Sequence, residues 1–267
     1  MEKELTLQEI QQASLKVLLK VKEVCEKYDI KYFLAYGTLI GAVRHKGFIP
    51  WDDDIDVVLL RKDYERLINL LIEKPDLIAP FELLHYRTNK KYIYTIARVS
   101  DPSYRIEYDN TKEYGLGIFI DLFPLDKKYP DNKKVLKKQI RRNDWIFQAG
   151  LCNYRKASSF VRNIPKLAAF IISRFLNLNK LLKKNDLNAQ KFNNSNSIYC
   201  GAQIDNPRTT MLLEHFNETT QLMFEGHLFS CPAKYDEHLT DVYGDYMKLP
   251  PENERIGHHF YSAYKKQ

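Results

Sequence analysis

The chain has 267 residues, enough for one large domain or two small ones, 44% hydrophobic residues, enough for a core, and a net charge of +7 that favours anionic partners. Its start, Met-Glu-Lys-Glu-Leu-Thr, lacks an apolar export segment, and no stretch approaches the ~20 apolar residues of a membrane span, so neither secretion nor membrane insertion is expected. Cys25, Cys152, Cys200 and Cys231 lie far apart without any Cys-x-x-Cys spacing, which argues against a zinc site and a disulfide framework and points to a reducing cytoplasm.

Thr6-Leu7-Gln8-Glu9 reads as a capping box with Leu5 and Ile10 as its hydrophobic staple, and the apolar spacing predicts a helix over 7–28. A strand over 31–36 is expected to end at Gly37-Thr38, and a short helix over 39–45 to stop at Gly47. Pro50 separates that helix from Asp52, Asp53, Asp54 and Asp56, which run straight into the apolar Val57 to Leu60. In an extended chain Asp52, Asp54 and Asp56 share one face and Asp53 takes the other. The pattern then predicts a helix over 62–73 and strands over 81–87, 92–100 and 117–123. Asp121 stands among apolar residues in the last of these, where an unpaired acid is costly, so it is expected to face the aspartates or a cation.

From 132 to about 192 the pattern is mainly helical, with breaks expected near 150–158 and at Pro165; a hairpin around Glu225-Gly226 and a helix over 233–242 follow. The fold class is α/β (α+β), a mixed-sheet core with a mainly helical second half. We divide it into a catalytic core over 1–130, a basic helical insert or subdomain over 131–215, and a C-terminal hairpin and helix over 216–267 that complete the core.

Carboxylates crowded without a His or Cys partner suit a hard divalent ion, Mg2+ with Mn2+ as the alternative, which takes one or two protein carboxylates and keeps positions for substrate phosphates. Asp54 and Asp56 are the expected ligands, Asp52 a further ligand or outer acceptor, and Asp121 the residue that completes the site or takes a proton from the acceptor. A strand ending in Gly-Thr, a short helix and an Asp-hydrophobic-Asp strand resemble the layout of the nucleotidyltransferase fold, in which Gly37 and Thr38 would let phosphate approach a helix N-terminus. Arg44, His45 and Lys46 stand between that turn and the aspartates as candidates to clamp a diphosphate. His258-His259 reads as a surface or substrate contact, since no further His or Cys lies near enough in sequence for zinc.

The stretch from Gly37 through Trp51-Asp52-Asp53-Asp54-Ile55-Asp56-Val57 resembles the signature of the LicD family of phosphocholine transferases, a branch of the nucleotidyltransferase superfamily that includes the fukutin-related ribitol-phosphate transferases. Gly-Ile-Phe-Ile-Asp-Leu-Phe-Pro-Leu-Asp at 117–126 is similar to that family, as is the segment from Tyr243-Gly244-Asp245-Tyr246 through Leu249-Pro250-Pro251 to Arg255 and His258. The resemblance implies transfer of phosphocholine from CDP-choline to a sugar hydroxyl of a bacterial surface glycan, a teichoic acid precursor or lipopolysaccharide, with release of CMP. Choline would need an aromatic cage, for which Trp51, Tyr36 and Tyr246 are candidates. Another CDP-alcohol such as CDP-ribitol, a metal-dependent glycosyltransferase, a nucleotidyltransferase acting on a small molecule and a non-catalytic binder of anionic polymers stay open. Nucleic acid is not an expected partner, because the aspartates repel phosphate without a metal.

The segment 155–184 carries eight basic residues and no acid, and 127–142 carries eight against Asp131 alone. Within 160–182 apolar residues follow helical spacing with Arg and Lys largely between them. Two readings follow: a helical subdomain packed on the core, or an interfacial helix that brings a cytoplasmic protein to an anionic, lipid-linked or polymeric glycan acceptor at the inner face of the membrane.

Overall fold

In the computed structural model, which describes residues 3–112, 114–128, 132–156, 160–257 and 261–266, the first helix, α1 (Leu7–Lys27), opens on the expected capping box. Thr6 accepts from the Glu9 amide and the Glu9 carboxylate accepts from the Thr6 amide. The strands β1 (Phe33–Leu34), β2 (Asp56–Leu60), β3 (Glu82–Leu84), β4 (Ala97–Asp101) and β6 (Ile118–Lys128) form a sheet in the order β1-β2-β6-β4-β3. The far end of β6 also pairs β7 (Tyr199–Gly201), which pairs β8 (Met211–Leu212). β2 and β6 are parallel and the other pairs antiparallel, which makes the sheet mixed.

Alternation along the strands gives the sheet two faces with different cover. Val57, Leu59, Ile120, Leu122, Ala97 and Val99 bury against α1 and α3 (Arg61–Glu73), each large aliphatic side chain contributing on the order of 1.5–3 kcal/mol. Val58, Phe123, Leu125 and Ile96 on the other face pack against Ala189, Cys200, Ile204, Met211 and Phe216 from the second half. Above this second core the same face carries the acids.

The second half contains α4 (Lys133–Gly150), α5 (Phe160–Ser173) and α6 (Leu178–Ala189), then the hairpin β9 (Thr219–Phe224) and β10 (His227–Pro232), and α7 (Tyr235–Tyr243). The hairpin turns at Glu225 and Gly226, both at positive φ, as a tight two-residue hairpin requires. Glu225 accepts from the Phe48 amide and its own amide donates to the Lys46 carbonyl, so the hairpin clasps the loop that leads into the aspartates. α6 is tied to the sheet by a buried ionic knot: Arg61 grips Asp126 of β6 with two hydrogen bonds, at 2.8 and 2.5 Å, and Asp186 of α6 at 2.8 Å.

Several local expectations need correction. α2 runs Tyr36–Arg44, so Gly37 and Thr38 lie in its first turn instead of in a preceding loop. β2 starts only at Asp56, which leaves Asp52 and Asp54 in irregular chain instead of on a strand. α5 runs through Pro165, which removes one i→i−4 bond in the second turn without ending the helix. β4 starts at Ala97 instead of 92, and β6 continues past Pro124 to Lys128. β5 (Tyr104–Tyr108) pairs β11 (Tyr261–Lys265), a union of distant segments that the pattern did not predict. His258 and His259 lie outside the described residues.

Candidate active site

Three strands set a charged row across the sheet. Asp56 is the register partner of Asp121, and Asp121 that of Arg98. Arg98 Nε donates to Asp121 Oδ1 at 2.6 Å, Nη2 reaches Oδ2 at 3.5 Å, and Nη1 donates to the Tyr114 hydroxyl at 2.9 Å. The guanidinium lies 3.9 Å from the ring centre of Tyr94 and 4.0 Å from that of Phe119. Burial opposes the Arg98 charge, and Asp121 with the surrounding tyrosines holds the group charged against it. The buried acid expected in this strand has therefore found a protein cation as its partner.

Local hydrogen bonds fix the other acids. The Asp56 amide donates to Thr38 Oγ1 at 2.9 Å, and the Asp56 carbonyl accepts from the Ala35 amide at 3.0 Å, so α2 and β1 hold the point at which β2 begins. Gly37 has no side chain for a packing reason: a Cβ there would lie 2.5 Å from Asp52 Oδ2. That contact sets the Asp52 carboxylate against the positive end of α2, where a negative charge is favoured. Asp53 turns the other way, is buried, and accepts from the Tyr261 hydroxyl of β11.

Burial, followed by the charges of Asp52 and Asp53 and a hydrogen bond shared with Asp52, pushes Asp54 up to about 8. Burial, followed by Asp54 and Asp121, raises Asp56 well above the ordinary carboxylate range. The row thus holds more negative charge than its one arginine balances. Hard oxygen donors with surplus negative charge fit a divalent cation that takes one or two carboxylates and leaves positions for phosphate oxygens. Among the described residues no three acidic, His or Cys side chains converge into a ready cage.

Two cavities flank the row. One, of about 360 Å3, is lined by Arg44, Lys248, Asp245, Trp51, Tyr243 and Tyr246 among others, two cations against one acid. It adjoins the acids through Trp51, which directly precedes Asp52 in the chain, and burial with the charge of Asp56 pushes the Tyr243 hydroxyl up to about 12. Arg44 donates to the Tyr246 carbonyl at 2.7 Å and to His45 Nε2 at 2.9 Å; burial and the Arg44 charge lower the His45 pKa. The other cavity, of about 250 Å3, lies on the Arg98 side between the chain before β4 and α4. Tyr94, Thr95, Asn143, Ile146, Phe147 and Asp205 line it, and Thr95 Oγ1 donates to Asp205 Oδ1 at 3.0 Å.

The candidates from the sequence therefore divide. Gly37, Thr38, Asp52, Asp54, Asp56 and Asp121 gather around the row, while Arg44, Trp51 and Tyr246 share the basic cavity, with His45 bound to Arg44. Tyr36 packs edge-on against Phe123 at 5.5 Å, beside the row and outside that cavity. Lys46 is not drawn in: its Nζ donates to the Val43 carbonyl. Sequence reasoning missed Arg98, Tyr243 and Asp205. Arg98 carried a readable signal, a lone cation in the apolar run Ile96-Ala97-Arg98-Val99 that matches a lone acid in another buried strand. Nothing in its neighbourhood marks Asp205.

A family model described as the LicD/FKTN/FKRP nucleotidyltransferase domain matches residues 29–162, a span that contains the whole acid row and Arg98. A protein of Haemophilus influenzae named lipopolysaccharide cholinephosphotransferase LicD is 34% identical over 275 residues, covering 98% of this chain and 99% of that protein. An uncharacterized protein of Rickettsia typhi is 34% identical over 126 residues, 47% of this chain and 38% of that protein. One of Rickettsia prowazekii is 34% identical over 120 residues, 45% and 41% of the two chains.

Proposed function

The chain belongs to the LicD/FKTN/FKRP nucleotidyltransferase family, and from that membership we propose that it transfers phosphocholine from CDP-choline to a sugar hydroxyl of a bacterial surface glycan, releasing CMP. The observation that carries the reading is the row of Asp56, Asp121 and Arg98 with Asp54 and Asp52 crowded beside it, a surplus of hard carboxylates between two cavities. Kinship over almost the full length with a lipopolysaccharide cholinephosphotransferase supports the transferred group and a glycan acceptor. Lipopolysaccharide and a teichoic acid precursor are the two acceptor classes we carry forward.

Asp54 and Asp56 would hold Mg2+, with Asp52 as support; when bound, the ion neutralises charge that develops on the phosphoryl oxygens. The basic, aromatic cavity suits the nucleotide: Arg44 and Lys248 supply positive charge, and Trp51, Tyr243 and Tyr246 supply ring surface. In the reaction the acceptor oxygen forms a bond to the phosphorus that bears choline, the bond from that phosphorus to the CMP oxygen breaks, and CMP leaves as the phosphate monoester. Asp121 Oδ1 is committed to Arg98 Nε, while Oδ2 is only loosely engaged and keeps capacity to take the proton of the acceptor hydroxyl.

We also read the protein as cytoplasmic and peripheral at the inner leaflet. No helix among the described residues is long and apolar enough to cross a membrane, but α5 exposes a stripe of large apolar side chains flanked by Arg162 and Lys166.

Incubation with Mg2+, CDP-choline and a choline-free acceptor glycan should release CMP, and Asp54→Asn or Asp56→Asn should abolish the release. Turnover of CDP-ribitol in place of CDP-choline would keep the mechanism and replace the donor. Activity on a nucleotide-sugar, with none on any CDP-alcohol, would sink the reading.

A further inference from the structure

The cavity on the Arg98 side has an unusual lining for a protein of net charge +7. Among the described residues it is lined by one carboxylate, Asp205, and no lysine or arginine; the rest are aromatic, aliphatic or neutral polar. Aromatic faces and a single anion around an apolar space attract a cation that carries its own apolar surface and lacks N–H donors. A phosphate does not fit, because it meets no cation in the lining.

The cavity is one side chain away from the acids. The Tyr94 ring that lines it stacks on the Arg98 guanidinium, and Arg98 binds Asp121. Asp205 acts electrostatically on both Asp56 and Tyr36, which sets it within reach of the row. Its position is built: Thr95 donates to its carboxylate, and the Asn143 side chain of α4 donates to its backbone carbonyl. Phe147 from α4 lines the cavity with 63% of its surface exposed.

We propose that this cavity is the subsite for the quaternary ammonium of the donor, with Tyr94 and Phe147 as its aromatic walls and Asp205 as its counter-charge. The proposal rests on the phosphocholine reading and sharpens it. It moves the cation site away from Trp51, Tyr36 and Tyr246, and it leaves Trp51 and Tyr246 to the nucleotide on the opposite side of the row. The aromatic and aliphatic walls give the methyl groups of choline apolar contact that a primary ammonium cannot return, so the site should prefer choline to ethanolamine.

Titration calorimetry on the full chain with Mg2+ tests this, using CDP-choline, CDP-ethanolamine and CMP as probes. Tyr94→Ala and Asp205→Asn should each weaken CDP-choline about tenfold, leave CMP within about twofold, and narrow the preference over CDP-ethanolamine. Phe147→Ala, at an exposed position that tolerates truncation, should shift CDP-choline in the same direction. Unchanged CDP-choline binding in all three variants, or an equal loss for CDP-choline and CMP, overturns the subsite. Failure of the wild-type chain to bind CDP-choline while it binds another CDP-alcohol overturns the phosphocholine reading and the subsite with it.

Discussion

Asp56 is held where the fold alone would not keep it. Its half-buried carboxyl lies beside Asp54 and Asp121, and desolvation with the charges of those two drives it toward protonation or toward a cation; a site of this kind trades stability for function. Asp56→Asn should therefore lower turnover on the order of 100-fold or more. In the absence of divalent metal the same variant should melt at a higher temperature than wild type, because a repelling charge is gone. An equal or lower melting temperature would show that Asp56 is not strained in the metal-free fold. His85 supplies the pH counterpart. Burial, aided by the charge of Arg87, lowers its pKa to about 3, against about 6.5 in an unfolded chain. Between those values the unfolded chain takes up a proton that the folded one refuses, so stability falls as pH drops below about 6.5 and His85 costs nothing above it. The loss should reach up to a few kcal/mol by pH 3. Denaturant midpoints across this range should flatten in His85→Phe relative to wild type.

Elements announced by local chemistry were legible in the sequence; elements made by distant partners were not. The capping box wrote the start of α1, and Glu225-Gly226 wrote the hairpin turn, because each involves neighbours in the chain. The start of α2 was hidden, since Tyr36 enters it at a φ of 48°, a conformation that only tertiary contacts justify for a tyrosine. β5 gave no clear signal because its partner, β11, lies at the other end of the chain. In the candidate site, the aspartates were legible as a cluster in sequence, and Asp121 as an acid out of character with its strand. Arg98 was readable as a lone cation in an apolar run, but its pairing with Asp121 comes through sheet register and Asp205 arrives through loop packing, neither of which spacing encodes.

α5 belongs to the same scale. Val161 at 78% and Phe175 at 86% exposure bound a stripe that includes Ile164, Ile171 and Ile172, and nothing within the described chain covers it. The helix is secured from its other side, by Tyr154 donating to Asn163 and Arg174 donating to the carbonyls of Leu151 and Gln148. Sedimentation with anionic phospholipid vesicles should carry the protein down at low salt, and less so with zwitterionic vesicles. Ile164→Glu with Ile171→Glu should abolish that binding and leave CMP release on a soluble acceptor intact. Binding unchanged in this variant would refute the membrane role, and a concentration-dependent dimer lost in it would assign the face to self-association.

For the whole molecule, the strongest tie between the sheet and α6 is the Arg61 knot. Arg61 answers both Asp126 and Asp186 in a buried setting, while Asn193 adds a second hydrogen bond to Asp126 Oδ1 and Tyr86 donates to the other oxygen of Asp186. Arg61→Ala would leave the buried Asp126 without a cation and Asp186 with Arg87 alone, and a loss of about 3–5 kcal/mol is expected from denaturant unfolding. A loss under about 1 kcal/mol would mean that the two parts dock through their apolar surfaces alone. The division of charge matches this architecture: the acids of the candidate site gather at one end of the sheet, and the basic excess sits in the helices.

The cysteines turn this arrangement into an instrument. Cys25, Cys200 and Cys231 are buried, and burial raises all three thiols, whereas Cys152 is exposed where α4 gives way to the segment that leads to α5. A maleimide dye should therefore label the native protein at one position, two residues from the tyrosine that holds α5. From there a polarity-sensitive fluorophore can report, in one unmutated chain, both ligand entry beside its neighbour Leu151 in the cavity wall and arrival of α5 at a bilayer.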